Sequence, residues 1–309
     1  MTTLLVTHPA CSAHDMGEGH PERPQRLRAV DQALEAEAFH FLARDLAPRV
    51  AVEALTRVHP LAYVEAIRRA SPDHDVIQLD SDTAMSPGTL EAALRSAGGA
   101  VFAVDEVVGR RVDNAFVATR PPGHHAEAAT PMGFCFFNNA AVAARHAQAA
   151  HGLERIAIVD FDVHHGNGTQ DIFWSDASVM YASTHQMPLY PGTGAVGETG
   201  EHGQIVNAPL RAGDGGDAFR EAFATAILPR LDAFAPDLLI VSAGFDAHFC
   251  DPLGGLNLRE ADFAWATERL MAIAAKRCGG RLVSLLEGGY DLEGLARSAA
   301  AHVAALMGG

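Results

Sequence analysis

Seven short runs of β-branched and other apolar residues recur along the chain. They are LLVTH near the start, NAFVAT at 114–119, RIAIVDFD at 155–162, VMYAS at 179–183, QIVNAPL at 204–210, LLIVSAGFD at 238–246 and RLVSLLEGGY at 281–290. Several are apolar at consecutive positions, which suits strands buried on both faces. Ala-rich segments with helical spacing lie between them, at 88–108, 138–151, 217–234, 260–277 and 292–306. This alternation predicts an α/β chain: a central, mostly parallel β-sheet flanked by helices on both faces. No repeat, low-complexity tract or linker interrupts it, so residues 1–309 read as one domain.

Composition supports a large core, with 48% hydrophobic and 20% charged residues. Lys and Arg number 23 against 38 Asp and Glu, a formal net charge of −15. That balance argues against direct nucleic-acid binding and against an anionic membrane surface. It is compatible with a cationic substrate, although a negative surface also simply keeps a protein in solution. No apolar run approaches the length of a membrane helix, and the first residues lack the basic region of a signal peptide. The four cysteines form no CxxC pair, so a reducing, cytoplasmic location is expected.

The polar motifs stand immediately after the apolar runs. NAFVAT leads into RPPGHHA, RIAIVD into FDVHHGNG, LLIVSAG into FDAHFCDPLGG, and RLVSLLE into GGYDL. In open parallel sheets, ligands bind beyond the carboxyl ends of the strands. Four polar, glycine-rich strand ends are therefore expected to converge on one pocket.

In an extended reading of DFDVHH, Asp160, Asp162 and His164 share a face and His165 points to the other. Asp162 and His164 offer an oxygen and a nitrogen to a cation, and Asp246 can add a second carboxylate from the neighbouring strand end. Two carboxylates and one imidazole leave a coordination position open, as in catalytic metal sites. His124 and His125 could be further ligands or an acid/base pair; with three ligands already at hand, acid/base work is favoured. Tyr290, after two glycines, is placed to donate to an oxyanion.

The ordered set HPERPQRL (20–27), RPPGHHA (120–126), GFCFFNN (133–139), DFDVHHGNGTQDIF (160–173), YPGTG (190–194), AGFDAHFCDPLGG (243–255) and LEGGYDL (286–292) resembles the zinc-dependent histone deacetylase family, of the arginase/deacetylase fold. The resemblance spans nearly the whole chain. It implies Zn²⁺ held by Asp162, His164 and Asp246. It implies His125 as general base, His124 as its electrostatic partner, Asp160 as the acid holding His124, and Tyr290 as the residue polarising the amide carbonyl. Gly133 and Phe134 match a tunnel beside the scissile amide, and Tyr190 falls where the family usually has a second tunnel Phe. Arg23 matches an arginine behind the site. A structural K⁺ is also implied, on the carbonyls of Asp160, Asp162 and His164 and the Ser183 hydroxyl.

Within the family pattern, Asn167 stands at the partner position of His125, where one branch has Asp and the class II-like branch has Asn. Leu253 stands where polyamine-selective relatives have an acidic gatekeeper. The expected activity is hydrolysis of acetyl or other acyl groups from lysine in proteins or peptides, with acetylpolyamine hydrolysis as the alternative. A small acetylated amine is thus a second substrate class, and a homo-oligomer is compatible with the sequence. A non-catalytic ligand-binding relative would need a broken site, and none of the assigned positions is broken. A two-metal ureohydrolase would carry DxHxD runs, but Gly166 stands where the second Asp would fall.

Overall fold

The computed structural model describes residues 1–308. Its strands are β1 (Thr3–Thr7), β2 (Ala43–Leu46), β3 (Ile77–Gln78), β4 (Ala84–Met85), β5 (Asn114–Val117), β6 (Ile156–Asp160), β7 (Val179–Gln186), β8 (Ile205–Leu210), β9 (Leu238–Ala243) and β10 (Leu282–Leu286). Eight of them form one sheet in the order β2-β1-β5-β10-β9-β6-β7-β8. Every pairing in it is parallel, so the expected mostly parallel sheet is wholly so. β3 and β4 pair separately as an antiparallel hairpin.

All seven apolar runs lie in the large sheet. Along β6, Ile156 and Ile158 enter one core and Ala157 and Val159 the other, so successive side chains feed opposite faces. One face packs on helices Thr89–Val108 and Asn139–His151 through Ala100, Ala103, Val104 and Ala143. The other packs on helices Gln25–Ala33, Glu260–Cys278 and Leu292–Leu306 through Leu27, Val30, Leu270 and Val303. Burying each such Leu or Val side chain contributes about 1.5–3 kcal/mol. The eighth strand, β2, reads ARDL and was not expected. It is an edge strand, and its Arg44 and Asp45 are exposed, as charges on an unpaired edge should be.

The expected helix at 217–234 is continuous but not uniform. It widens to a π-helical turn at Phe223–Ile227 before Leu228–Phe234. Pro229 lacks the N–H that a regular helix would close onto residue 225, so the regular ladder cannot run through this segment. Helix Asn139–His151 is well bounded. The Asn138 side chain accepts from the Ala141 N–H at 2.9 Å, and Gly152 ends it in the left-handed region at φ 67°.

The four central strands, β5, β10, β9 and β6, end at the same edge of the sheet. The loops after them carry His124 and His125, Tyr290, Asp246, and Asp162 with His164, respectively. No helix is long and apolar enough to cross a membrane among the described residues.

Candidate active site

β6 ends at Asp160, and residues 161–164 bend rather than continue as strand. The bend still brings Asp162 and His164 together. His164 Nδ1 lies 3.1 Å from Asp162 Oδ1 and 3.1 Å from Asp246 Oδ2. One donor atom from each of the three residues lies within 4.8 Å of the others, and all three side chains are buried. The remaining carboxylate oxygens are aimed by backbone donors. Gly288 N–H reaches Asp162 Oδ2 at 2.8 Å, and Val163 N–H reaches Asp246 Oδ1 at 2.8 Å. A Cβ at Gly288 would collide with both carboxylates, which is why glycine stands there. Three preoriented donors in a buried pocket fit a metal ion. His165 turns away, towards Thr193 and Gln170.

The tandem histidines are held by different partners. His124 Nδ1 is 3.0 Å from Asp160 Oδ2, an oxygen that also accepts from the Tyr181 hydroxyl at 3.1 Å. His125 Nδ1 is 2.8 Å from Asn167 Oδ1. The Asn167 amide nitrogen donates to Glu127 Oε1 and approaches Met132 Sδ, each at 3.3 Å, so its oxygen faces His125. Hence Nδ1 of His125 carries a proton and Nε2 is free to accept one. Burial alone would lower the His124 pKa, but the charges of Asp160 and Asp162 outweigh it and raise it to about 10. Burial, then the charges of His124 and His164, hold His125 well below the usual histidine range. The pair is thus split into a cation and a neutral base.

Tyr290 is buried, and burial pushes its hydroxyl well above the usual phenol range while Arg26 acts in the opposite sense. It therefore stays a proton donor. The Asp251 carboxylate fixes its backbone, accepting from Tyr290 N–H at 2.6 Å and from Leu253 N–H at 3.0 Å. A cavity of about 260 Å³ is lined by Asp82, His125, Gly133, Phe134, His164, Leu189, Tyr190, Leu253 and Tyr290. Gly133 has φ 56°, and a Cβ there would strike the His125 ring. Phe134, at φ 69°, holds a conformation that costs a non-glycine residue about 1–2 kcal/mol. Its N–H is anchored by the Thr83 hydroxyl at 3.0 Å, and the Gly133 N–H by Asp82 at 3.1 Å. The tip of the β3–β4 hairpin thereby sets the cavity wall.

One expected position is corrected. Arg23 is exposed, in the turn before helix Gln25–Ala33. The arginine behind the site is Arg26, on the first turn of that helix and on the same inward side as Leu27 and Val30. Its guanidinium lies 4.7 Å from the Tyr290 ring centroid and donates to the Gly289 carbonyl at 2.5 Å. Arg26 and Arg120 both pair with the buried Glu22, which holds them in place.

Glu287 was also missed. It accepts from the N–H groups of Gly123 and His124 at 2.7 and 3.2 Å and from the Ser242 hydroxyl at 3.1 Å. Burial raises its pKa to about 7, against the pull of the His124 charge. The sequence signal for Glu287 was a Glu directly after a buried strand.

These features define a parallel α/β protein with a carboxylate–histidine–carboxylate group and a histidine pair at its strand ends. The histone deacetylase domain matches residues 20–306, and the chain belongs to that family of hydrolases. It is 40% identical to a protein named histone deacetylase 10, chloroplastic, of Oryza sativa subsp. japonica, over 96% of this chain and 72% of that one. It is 41% identical to a histone deacetylase-like amidohydrolase of Pseudomonas aeruginosa, over 88% of this chain and 73% of that one. The crystal structure of the HDA15 HD domain superposes with a TM-score of 0.94 at 38% identity, covering 99% of this chain and 88% of the other.

Proposed function

We propose that the chain is a zinc-dependent lysine deacetylase that hydrolyses the acetyl amide on the lysine side chain and releases acetate. The observation that supports this most is the single cavity joining the tunnel residues Phe134 and Tyr190 to His125, His164 and Tyr290. Asp162, His164 and Asp246 would hold the cation, and two oxygens with one imidazole suit Zn²⁺. When bound, the cation supplies Lewis acidity at the carbonyl and at the attacking water.

The protein's own groups supply the proton transfers. His125 Nε2 takes the proton of the attacking water as its oxygen joins the carbonyl carbon. Tyr290 donates its O–H to the developing oxyanion. A protonated imidazole of the pair delivers a proton to the lysine nitrogen as the C–N bond breaks. Asp160 and Asn167 orient the two rings throughout. A structural K⁺ belongs to the same reading. Asp160 and Ser183 are register partners on adjacent strands, and the Ser183 hydroxyl is buried 2.9 Å from His185 Nδ1. A cytoplasmic setting is likewise part of the proposal, and Cys11, Cys135, Cys250 and Cys278 are all unpaired.

A second reading, acetylpolyamine hydrolysis, draws on Asp82, a carboxylate in the cavity lining. Against it, Leu253 lines the same cavity and cannot pair with a second ammonium group. Metal-loaded protein assayed at moderate salt should show higher kcat/KM on acetyl-lysine peptide than on N-acetylated spermidine or putrescine. Leu253→Glu should move that ratio towards the polyamines. A wild-type preference for acetylpolyamine would replace the first reading with the second. Moderate salt suppresses long-range steering by the net charge of −15, so the comparison reports local contacts.

A further inference from the structure

A second cluster of metal-type donors lies on the helices that cover the sheet. Asp105 is on helix Thr89–Val108, and His146 and His151 are on helix Asn139–His151. Asp105 Oδ1 is 2.7 Å from His146 Nε2 and 2.6 Å from His151 Nε2. The two imidazoles thus turn the same nitrogen to one point, with ring centroids 5.7 Å apart. One donor atom of each residue lies within 4.8 Å of the others. The side chains are 13%, 24% and 37% exposed for His146, His151 and Asp105, so the cluster has a protein floor and an open side. The helices beneath are packed through Ala100, Ala103, Ala143 and Ala147, which makes the donors' supports rigid.

We propose that Asp105, His146 and His151 form a second divalent transition-metal site, separate from the catalytic group. Two imidazoles and one carboxylate favour Zn²⁺, Ni²⁺ or Cu²⁺ over the oxygen-seeking Mg²⁺ and Ca²⁺. The present nitrogen–oxygen separations are hydrogen-bond lengths. A tetrahedral ion needs donors roughly 3.3 Å apart, a change within reach of side-chain rotation. Solvent would complete the shell from the open side. The site ties together two helices at the end of Asn139–His151 away from Asn138, whose amide bonds the Ala126 carbonyl just past the tandem histidines. Its role is therefore structural rather than chemical.

Arg57 is the built-in competitor. Its Nη1 is 3.1 Å from His146 Nδ1, and a guanidinium can only donate, so Nδ1 accepts and Nε2 carries the proton. An ion on Nε2 moves that proton to Nδ1 and displaces Arg57, whose side chain is at the surface and free to turn into solvent.

The test is equilibrium dialysis of the full chain, with its catalytic ion loaded, against micromolar free Zn²⁺, followed by elemental analysis. Wild type should hold two ions per chain. His151→Ala and, independently, His146→Ala should each hold one, with turnover of acetyl-lysine peptide unchanged. Arg57→Ala should bind the second ion at several-fold lower free Zn²⁺. The proposal is overturned if wild type holds one ion and Asp246→Ala holds none, or if neither histidine variant lowers the stoichiometry. If the catalytic reading failed, wild type and Asp246→Ala would each still hold the one ion of this cluster and the histidine variants would lose it, so the two failures are distinguishable.

Discussion

The Nδ1 atom of His125 lies 2.8 Å from the amide oxygen of Asn167, a neutral partner for a histidine that burial above all keeps uncharged. Replacing Asn167 by Asp puts a carboxylate against the same N–H. A carboxylate favours the imidazolium form and raises the His125 pKa. The base is then protonated at higher pH, so the acid limb of kcat/KM should move up by about one pH unit or more. A pH–rate profile of Asn167→Asp that overlays wild type would show that Asn167 does not set the basicity of His125.

Tyr290 makes its backbone bonds to Asp251 through N–H, not through its ring. Tyr290→Phe therefore removes one hydroxyl and leaves the loop anchored. Turnover should fall roughly 10²–10³-fold, the usual cost of one oxyanion donor, with metal content unchanged. Turnover within a few-fold of wild type would exclude the hydroxyl as a donor.

Four buried histidines outside the catalytic group make stability acid-sensitive. His59 donates to the Ala128 carbonyl and accepts from Asn138 N–H, each at 3.0 Å. His185 donates to the Gly194 carbonyl at 2.9 Å and accepts from Ser183 at 2.9 Å. His302 bonds Thr267, whose own proton goes to the Phe263 carbonyl, and accepts from Ser284. His165 bonds Thr193 and Gln170. Each neutral ring is satisfied as it stands; a second proton would face the Asn138 N–H at His59, and at the other three it would have to turn a hydroxyl round and bury a charge. Burial lowers His59 and His185 to about 4 and His165 and His302 to about 3, from an ordinary value of 6.5. Below pH 6.5 the unfolded chain binds protons that the folded chain refuses, so folding stability falls as pH falls towards the folded values. The slope is about 1.4 kcal/mol per pH unit for each fully unmatched proton. Urea midpoints should drop steeply from pH 7 to pH 5. A flat profile over that range would mean these rings protonate without unfolding.

Much of this was legible in sequence because the signal was local. Buried parallel strands carry their own apolar runs, and β5, β6, β9 and β10 each announce a polar loop in the next few residues. β2 was not legible. ARDL has no apolar run, and only the neighbouring β1 makes it a strand. The choice between Arg23 and Arg26 was equally hidden, since it depends on where helix Gln25–Ala33 starts and which of its sides faces Tyr290. The anchoring of Gly133 and Phe134 by Asp82 and Thr83 joins segments 51 residues apart, and no spacing rule reports such a contact.

A metal ion held by Asp162, His164 and Asp246 should be indispensable for cleavage of the amide. Chelator-treated wild type and Asp246→Ala should be assayed on acetyl-lysine peptide before and after readdition of Zn²⁺. Treated wild type should be inactive and recover on readdition, while Asp246→Ala should stay inactive even with Zn²⁺ present. Full turnover by protein shown to be metal-free, or recovery of Asp246→Ala by Zn²⁺, would contradict this.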